Sequence, residues 1–143
     1  MRSSLMSSGK ILELFVSKKP ADNIELDNGG VVGDKFYAKE IARSVLISTI
    51  ESYELAKQNG IDTPLGSLGE NILMDYNPYH LPIGSKIQIG NSSVLEITQN
   101  CTLCKSLTKV DSKLPKILKD DRGVFAKVIK NGIIKKGDRV YIL

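Results

Sequence analysis

Lys86-Ile87-Gln88-Ile89-Gly90-Asn91-Ser92-Ser93-Val94-Leu95-Glu96-Ile97-Thr98 carries the plainest strand–turn–strand pattern in the chain. Ile87 and Ile89 alternate with Lys86 and Gln88, the period of two that puts apolar side chains on one face of a strand. Gly90-Asn91 supplies a turn, and Val94–Thr98 returns as the antiparallel partner. Downstream, Val124–Lys130 reads as a strand, and Asn131-Gly132 is the strongest short hairpin signal in the chain. Gly137-Asp138 turns the backbone again, and Arg139–Leu143 is a closing strand. Upstream, Asn71–Met74 leaves the glycine-rich loop Thr63–Gly69 as a strand. Ser44–Ile50 is β-branched and reads as a buried one. Ile24–Leu26 forms a short strand. Gly9–Lys18, with Ile11, Leu12, Leu14, Phe15 and Val16, ends at Lys19-Pro20, where proline favours extended or turning backbone. Helix formers fill Glu51–Asn59, with Gly60 as the C-terminal cap. The spacing of Leu103, Leu107 and Val110 predicts a short helix starting near Asn100 or Thr102. About seven short strands and two or three small helices make the chain mainly β (α+β), a barrel or a sandwich. A parallel βαβ sheet is disfavoured, because long helices do not regularly separate the strands.

The 143 residues suit one domain spanning 1–143. Hydrophobic residues at 41% and charged residues at 25% are those of a globular chain rather than a disordered one. Lys and Arg total 20 against 16 Asp and Glu, a net charge of +4. This mild, dispersed excess suits an anionic small ligand or an acidic partner. Tryptophan is absent and aromatics are only 6%, too few stacking platforms for a single-stranded nucleic-acid binder. The lysine-rich stretch from Lys105 to Arg122 reads as a solvated face rather than a nucleic-acid footprint. No apolar run approaches the ~20 residues of a membrane span. The first residues lack the apolar stretch of a secretory signal, so a cytoplasmic location is expected.

The sharpest chemical feature is Cys101-Thr102-Leu103-Cys104-Lys105. A helix beginning near Asn100 or Thr102 puts Cys104 in its first turn. The partial positive charge there, with Lys105 and Lys109, favours a thiolate that attacks sulfur or ligates a soft metal. Free cysteines are equally often small buried hydrophobes. A closed zinc site wants four ligands, and His80 is the one other good candidate. A thioredoxin-like dithiol wants a βαβ neighbourhood. Gly29-Gly30-x-x-Gly33 matches no nucleotide-binding fingerprint, because no convincing helix follows it. A functional loop and a plain turn both remain open there. His80, in a proline-flanked loop, reads as structural or exposed.

Several stretches taken in order carry more. Gly30-Val31-Val32-Gly33-Asp34-Lys35 comes first, then Arg43-Ser44-Val45-Leu46-Ile47, then Ser67-Leu68-Gly69-Glu70-Asn71-Ile72. Leu81 to Gly90, Leu95 to Cys104 and Asp121-Arg122-Gly123-Val124-Phe125-Ala126-Lys127-Val128 follow. Their order and spacing resemble the MOSC domain, the C-terminal domain of molybdenum cofactor sulfurases, over nearly the whole chain. The resemblance implies a β-barrel with a few short helices. It also implies the molybdenum cofactor (molybdopterin) as ligand. Cys104 matches the family's functional cysteine, carrying a persulfide or ligating the metal. Arg43, Asn71, Glu70 and Arg122 match its recurrent binding residues. The arginines suit forked hydrogen bonds to phosphate or pterin oxygen, and Asn71 suits a pterin edge. Glu70 could instead brace a basic residue or the loop backbone. Arg43 could equally pair with a surface carboxylate, and Asn71 could shape the turn after Gly69.

Two departures stand out. Phe36 occupies the place of a frequent histidine, and Leu103 that of a frequent proline. Cys101 is an extra thiol, either resolving a persulfide on Cys104 or incidental. The chain has no room for the pyridoxal phosphate fold of a cysteine desulfurase, and it has no iron–sulfur or flavin signature. The expected partner is therefore a cysteine desulfurase or an electron-donor protein. Three activities remain open: a sulfur carrier or cofactor-binding domain, a molybdenum-dependent reductase of N-hydroxylated compounds, and a non-enzymatic pterin-binding module.

Overall fold

Lys86–Ile89 and Ser93–Asn100 pair antiparallel, Ile87 opposite Leu95 and Ile89 opposite Ser93, as their alternation requires. A computed structural model of the chain describes residues 6–102 and 105–143, without the side chains of residues 105 and 106. Among the described residues there are eleven strands: β1 Gly9–Val16, β2 Lys19–Ala21, β3 Asn23–Asp27, β4 Gly30–Val31, β5 Val45–Thr49, β6 Ile72–Met74, β7 Lys86–Ile89, β8 Ser93–Asn100, β9 Val124–Lys130, β10 Gly132–Lys135 and β11 Arg139–Ile142. The helices are α1 Ile50–Gln58, α2 Lys105–Val110 and α3 Leu114–Ile117, with a 3₁₀ turn at Ile41–Arg43.

The main sheet runs β11-β7-β8-β9-β5-β6-β1-β2, and β11 also pairs with β1. That extra pairing, Gly9 opposite Val140 and Lys10 opposite Arg139, closes seven strands into a barrel. β2 extends β1 beyond the closure. A smaller sheet, β10-β3-β4, lies beside it. The barrel interior is aliphatic, built from Ile11, Leu14, Val45, Ile47, Ile72, Met74, Ile87, Leu95, Ile97, Ala126 and Val140. A second core forms where Phe15, Leu73 and Leu68 meet Tyr53 and Ala56 of α1, Leu107 of α2 and Leu114 of α3. A register shift between Ile11 and Glu13 sets Leu14 into the first core and Phe15 into the second. This is why β1 reads as a nearly continuous apolar run: both its faces are covered.

Two sequence expectations are corrected. Asn131-Gly132 does not join a hairpin. β9 pairs with β8 and β5, whereas β10 crosses to β3, Gly132 opposite Leu26. A type I′ turn needs positive φ at that glycine, and Gly132 is not among the positive-φ glycines. Its bareness serves close approach instead, since a Cβ there would collide with the Ser93 hydroxyl. Asn100 does not start a helix; it ends β8 opposite Val124, and the described span of α2 begins at Lys105. The barrel contains one parallel pair, β5 with β6, α1 lying between them in sequence, but it is not a parallel βαβ sheet. The antiparallel pairs otherwise match the expected β-rich barrel. Among the described residues no helix is long and apolar enough to cross a membrane.

Candidate functional site

β1 ends, β6 and β9 begin, and β8 runs out at one rim of the barrel, with Leu14 opposite Ile72 and Asn100 opposite Val124. A cleft of about 700 Å³ opens there, between the β1–β2 turn, the segment 34–44 and α2. Lys18, Lys35, Lys39, Arg43, Lys109 and Arg122 line it, against the carboxylates Asp34 and Glu40. Six cations facing two acids make it an anion-attracting cavity.

Asp34 is 8% exposed and holds the wall together. Its Oδ1 accepts Ser17 N at 2.6 Å and Asn71 Nδ2 at 3.1 Å, and its Oδ2 accepts Phe36 N at 3.0 Å. Ser17 and Lys18 link β1 to β2 with φ of 49° and 70°. Both are left-handed, a conformation disfavoured for residues with a Cβ. The carboxylate fixes the first of them, and Ser17 Oγ accepts Lys35 N at 2.9 Å. Lys18 and Lys35 are thereby placed on adjoining edges of the cleft.

The sequence-derived candidates divide into two groups. Arg43, Asn71 and Arg122 come together on the cleft wall with Cys101. Glu70 lies behind the wall, 1% exposed. Arg43 sits at the end of the 3₁₀ turn. Its Nη1 stands 3.8 Å from Glu40, an exposed pair worth little. Its guanidinium lies 5.9 Å from the centre of the Phe125 ring. Its Nε is buried without a hydrogen-bond partner among the described residues. Asn71 gives Nδ2 to Asp34 and to Phe15 O, and its Oδ1 accepts Leu46 N at 3.0 Å. Both amide hydrogens therefore meet protein oxygens, and the residue ties β1 to β5 across the rim. Arg122, 5% exposed, donates from Nε and Nη2 to Leu68 O at 3.2 and 2.7 Å. Its own carbonyl accepts Ser48 Oγ and Tyr79 O–H.

The Gly69-Glu70-Asn71 triplet has a physical reading. Gly69 turns with φ of 85°. Asn71 then faces the cleft and Glu70 faces the interior. Glu70 Oε2 accepts Tyr53 O–H at 2.6 Å and Gly66 N at 3.3 Å, so Glu70 braces the loop backbone. Burial pushes its carboxyl above the usual 4.5; the Tyr53 hydrogen bond and the nearby Arg122 charge pull the other way. Glu70 Oε1 is buried with no hydrogen-bond partner among the described residues. A carboxyl whose proton affinity rises on folding favours the folded state most at low pH, and this contribution fades as pH climbs through the raised value. The stability of Glu70→Gln relative to wild type should therefore improve as pH rises above the usual carboxylate range. Denaturation at a series of pH values measures this, and a constant difference would refute it.

Cys104 and Leu103 lie outside the described residues. Their neighbours in the chain, Cys101 and Lys109, both line the cleft. Cys101 is 3% exposed, packed with Leu46 and Phe125. His80 is not among the cleft residues and stands beside Tyr76, ring centres 6.0 Å apart. Among the described residues no group of three His, Cys, Asp or Glu is arranged to hold a metal ion. Sequence reasoning missed Lys18 and Lys39. Their signal, consecutive left-handed residues in one case and a loop lysine in the other, has no mark in composition.

The MOSC domain profile matches residues 31–141. No curated protein matches the chain in sequence. Among solved structures, the YuaD protein from Bacillus subtilis is 20% identical with a TM-score of 0.72, covering 95% of this chain and 93% of its own. YiiM from Escherichia coli is 17% identical with a TM-score of 0.74, covering 96% of this chain and 70% of its own. YiiM from Geobacillus stearothermophilus is 14% identical with a TM-score of 0.70, covering 97% and 74%. At these identities the likeness is one of fold.

Proposed function

The chain belongs to the MOSC domain family, known for binding the molybdenum cofactor, and we propose that it holds this anionic pterin in the rim cleft, with Cys104 as the sulfur- or metal-handling group. The observation that carries the reading is the charge of the cleft: six cations converge on one cavity, and the buried Nε of Arg43 has no protein acceptor among the described residues. A buried donor left unsatisfied costs roughly 1–3 kcal/mol, a cost that an anionic ligand oxygen removes. The donor set thus fits a phosphate-bearing pterin. Arg43 and Arg122 would hold its anionic groups, Lys18 and Lys35 would attract it from solvent, and Asn71 would keep the wall in place. When bound, the cofactor supplies the metal and its redox chemistry.

Cys104 lies in sequence between two cleft-lining residues, Cys101 and Lys109. In the sulfur-carrier form, a cysteine desulfurase persulfide gives its outer sulfur to the Cys104 thiolate. A Cys104 persulfide forms and the donor leaves as a thiol. Cytoplasmic residence and a desulfurase or electron-donor partner belong to the same proposal.

Incubation of the full chain with a desulfurase and cysteine should add one sulfur by mass. The gain should be lost in Cys104→Ser and kept in Cys101→Ser. Reconstitution with molybdenum cofactor should load wild type. Sulfur gain without loading defeats the cofactor reading, loading without sulfur gain leaves Cys104 as a metal ligand, and neither result defeats both.

A further inference from the structure

The chain has three phenylalanines. Phe15 and Phe125 are buried, at 2% and 8% exposed, whereas Phe36 is 56% exposed and lines the cleft. A singly exposed aromatic is ordinary on a protein surface. Phe36 differs in how firmly it is set. Its N–H is held by Asp34 Oδ2 at 3.0 Å. Its carbonyl accepts Lys39 N at 3.2 Å, and the next residue, Tyr37, donates its N–H to Asp34 O at 3.0 Å. Ala38 holds φ of 59° and donates to Gly29 O at 2.7 Å. With its backbone pinned, the side chain keeps only its two χ freedoms, so little entropy is lost when something packs on it. Lys35 Nζ stands 5.0 Å from the ring centre. A cation on an aromatic face beside an anion-attracting cavity is a combined platform: the ring takes a planar π-system and the ammonium takes a negative group attached to it.

We propose that Phe36 is a specificity-determining residue of the cleft, stacking on the ring of a planar heteroaromatic anion while Lys35 pairs with its charged substituent. The inference rests on the cleft being a pterin site and adds to it the side chain that reads the ring. An aliphatic residue at position 36 would leave attraction for charge intact and lose preference for flat ligands. Base-type stacking on an aromatic side chain is lost on truncation to alanine at a cost of roughly 5- to 150-fold in affinity.

The test titrates the full chain with two probes, pterin-6-carboxylate followed by its fluorescence and inorganic pyrophosphate followed by calorimetry. Wild type is expected to bind both. Phe36→Ala and Phe36→Leu should each weaken pterin-6-carboxylate by roughly 5- to 150-fold and leave pyrophosphate within about twofold. Phe36→Tyr should bind both as wild type does. Pterin binding unchanged in Phe36→Ala, or kept in Phe36→Leu, overturns the stacking role while leaving the pterin site standing. Equal weakening of both probes in Phe36→Ala overturns it too, since the ring then serves only the loop. A wild type that binds pyrophosphate and not pterin-6-carboxylate removes the pterin reading, and this inference with it.

Discussion

Asp34→Ala is expected to cost about 3–5 kcal/mol of folding stability and to weaken every anion the cleft takes. Three donors lose their acceptor at once: Ser17 N, Phe36 N and Asn71 Nδ2. Hydrogen bonds to a charged acceptor contribute about 1.5–3 kcal/mol each, and water entering the open cleft recovers part of the loss. The β1–β2 turn should respond most, because its left-handed Ser17 and Lys18 are disfavoured by roughly 1–2 kcal/mol per residue. Lys18→Gly in the same background should then recover about 1 kcal/mol. Asp34→Asn should fall between, since its amide NH₂ must meet one of the N–H groups that a carboxylate oxygen now accepts. Chemical denaturation and amide exchange at Ser17 and Phe36 are the measurements. Asp34→Ala within about 0.5 kcal/mol of wild type would show that the wall does not depend on this carboxylate.

The second large effect is at Arg122. Arg122→Leu removes a buried guanidinium from Leu68 O and from the neighbourhood of Glu70. Leaving that buried carbonyl without its donor costs about 1–3 kcal/mol. With that charge gone, the Glu70 carboxyl should hold its proton to still higher pH, which shifts the pH dependence of stability upward. Arg122→Lys separates charge from shape: the cation stays and the planar fork is lost. If Arg122 holds the ligand, Arg122→Lys binds pyrophosphate roughly 10-fold or more weakly, while Cys104→Ala binds it as wild type does. Equal affinity in Arg122→Lys and wild type would assign Arg122 to the loop alone.

The barrel was legible because most of its strands alternate or are β-branched, and because turns such as Gly90-Asn91 sit between true antiparallel partners. Asn131-Gly132 misled because glycine answers two demands, positive φ and close approach, and only tertiary structure separates them. Arg43, Asn71 and Arg122 were readable from their motifs, and all three reach the same wall. Their roles were less so. Asn71 is engaged in joining strands, and Glu70 faces away from the cleft, because alternate residues of an extended segment point to opposite sides. The motif around Asp34 carries no sign of its role, since a buried carboxylate serving three N–H groups is defined largely by residues far off in sequence. Lys18 was unreadable, being brought in by a two-residue turn that lacks the usual Asn-Gly signature.

The pairing of β1 with β11 has a consequence for biosynthesis. β1 finds one of its neighbours only when residues 139–142 have been made, so the cylinder cannot seal while translation of this stretch is under way. Until then β1 and β7 each present a row of unmet amides and carbonyls, the arrangement that invites pairing between nascent chains. Slowed elongation near the end of this stretch should therefore favour aggregation more than slowing at its start.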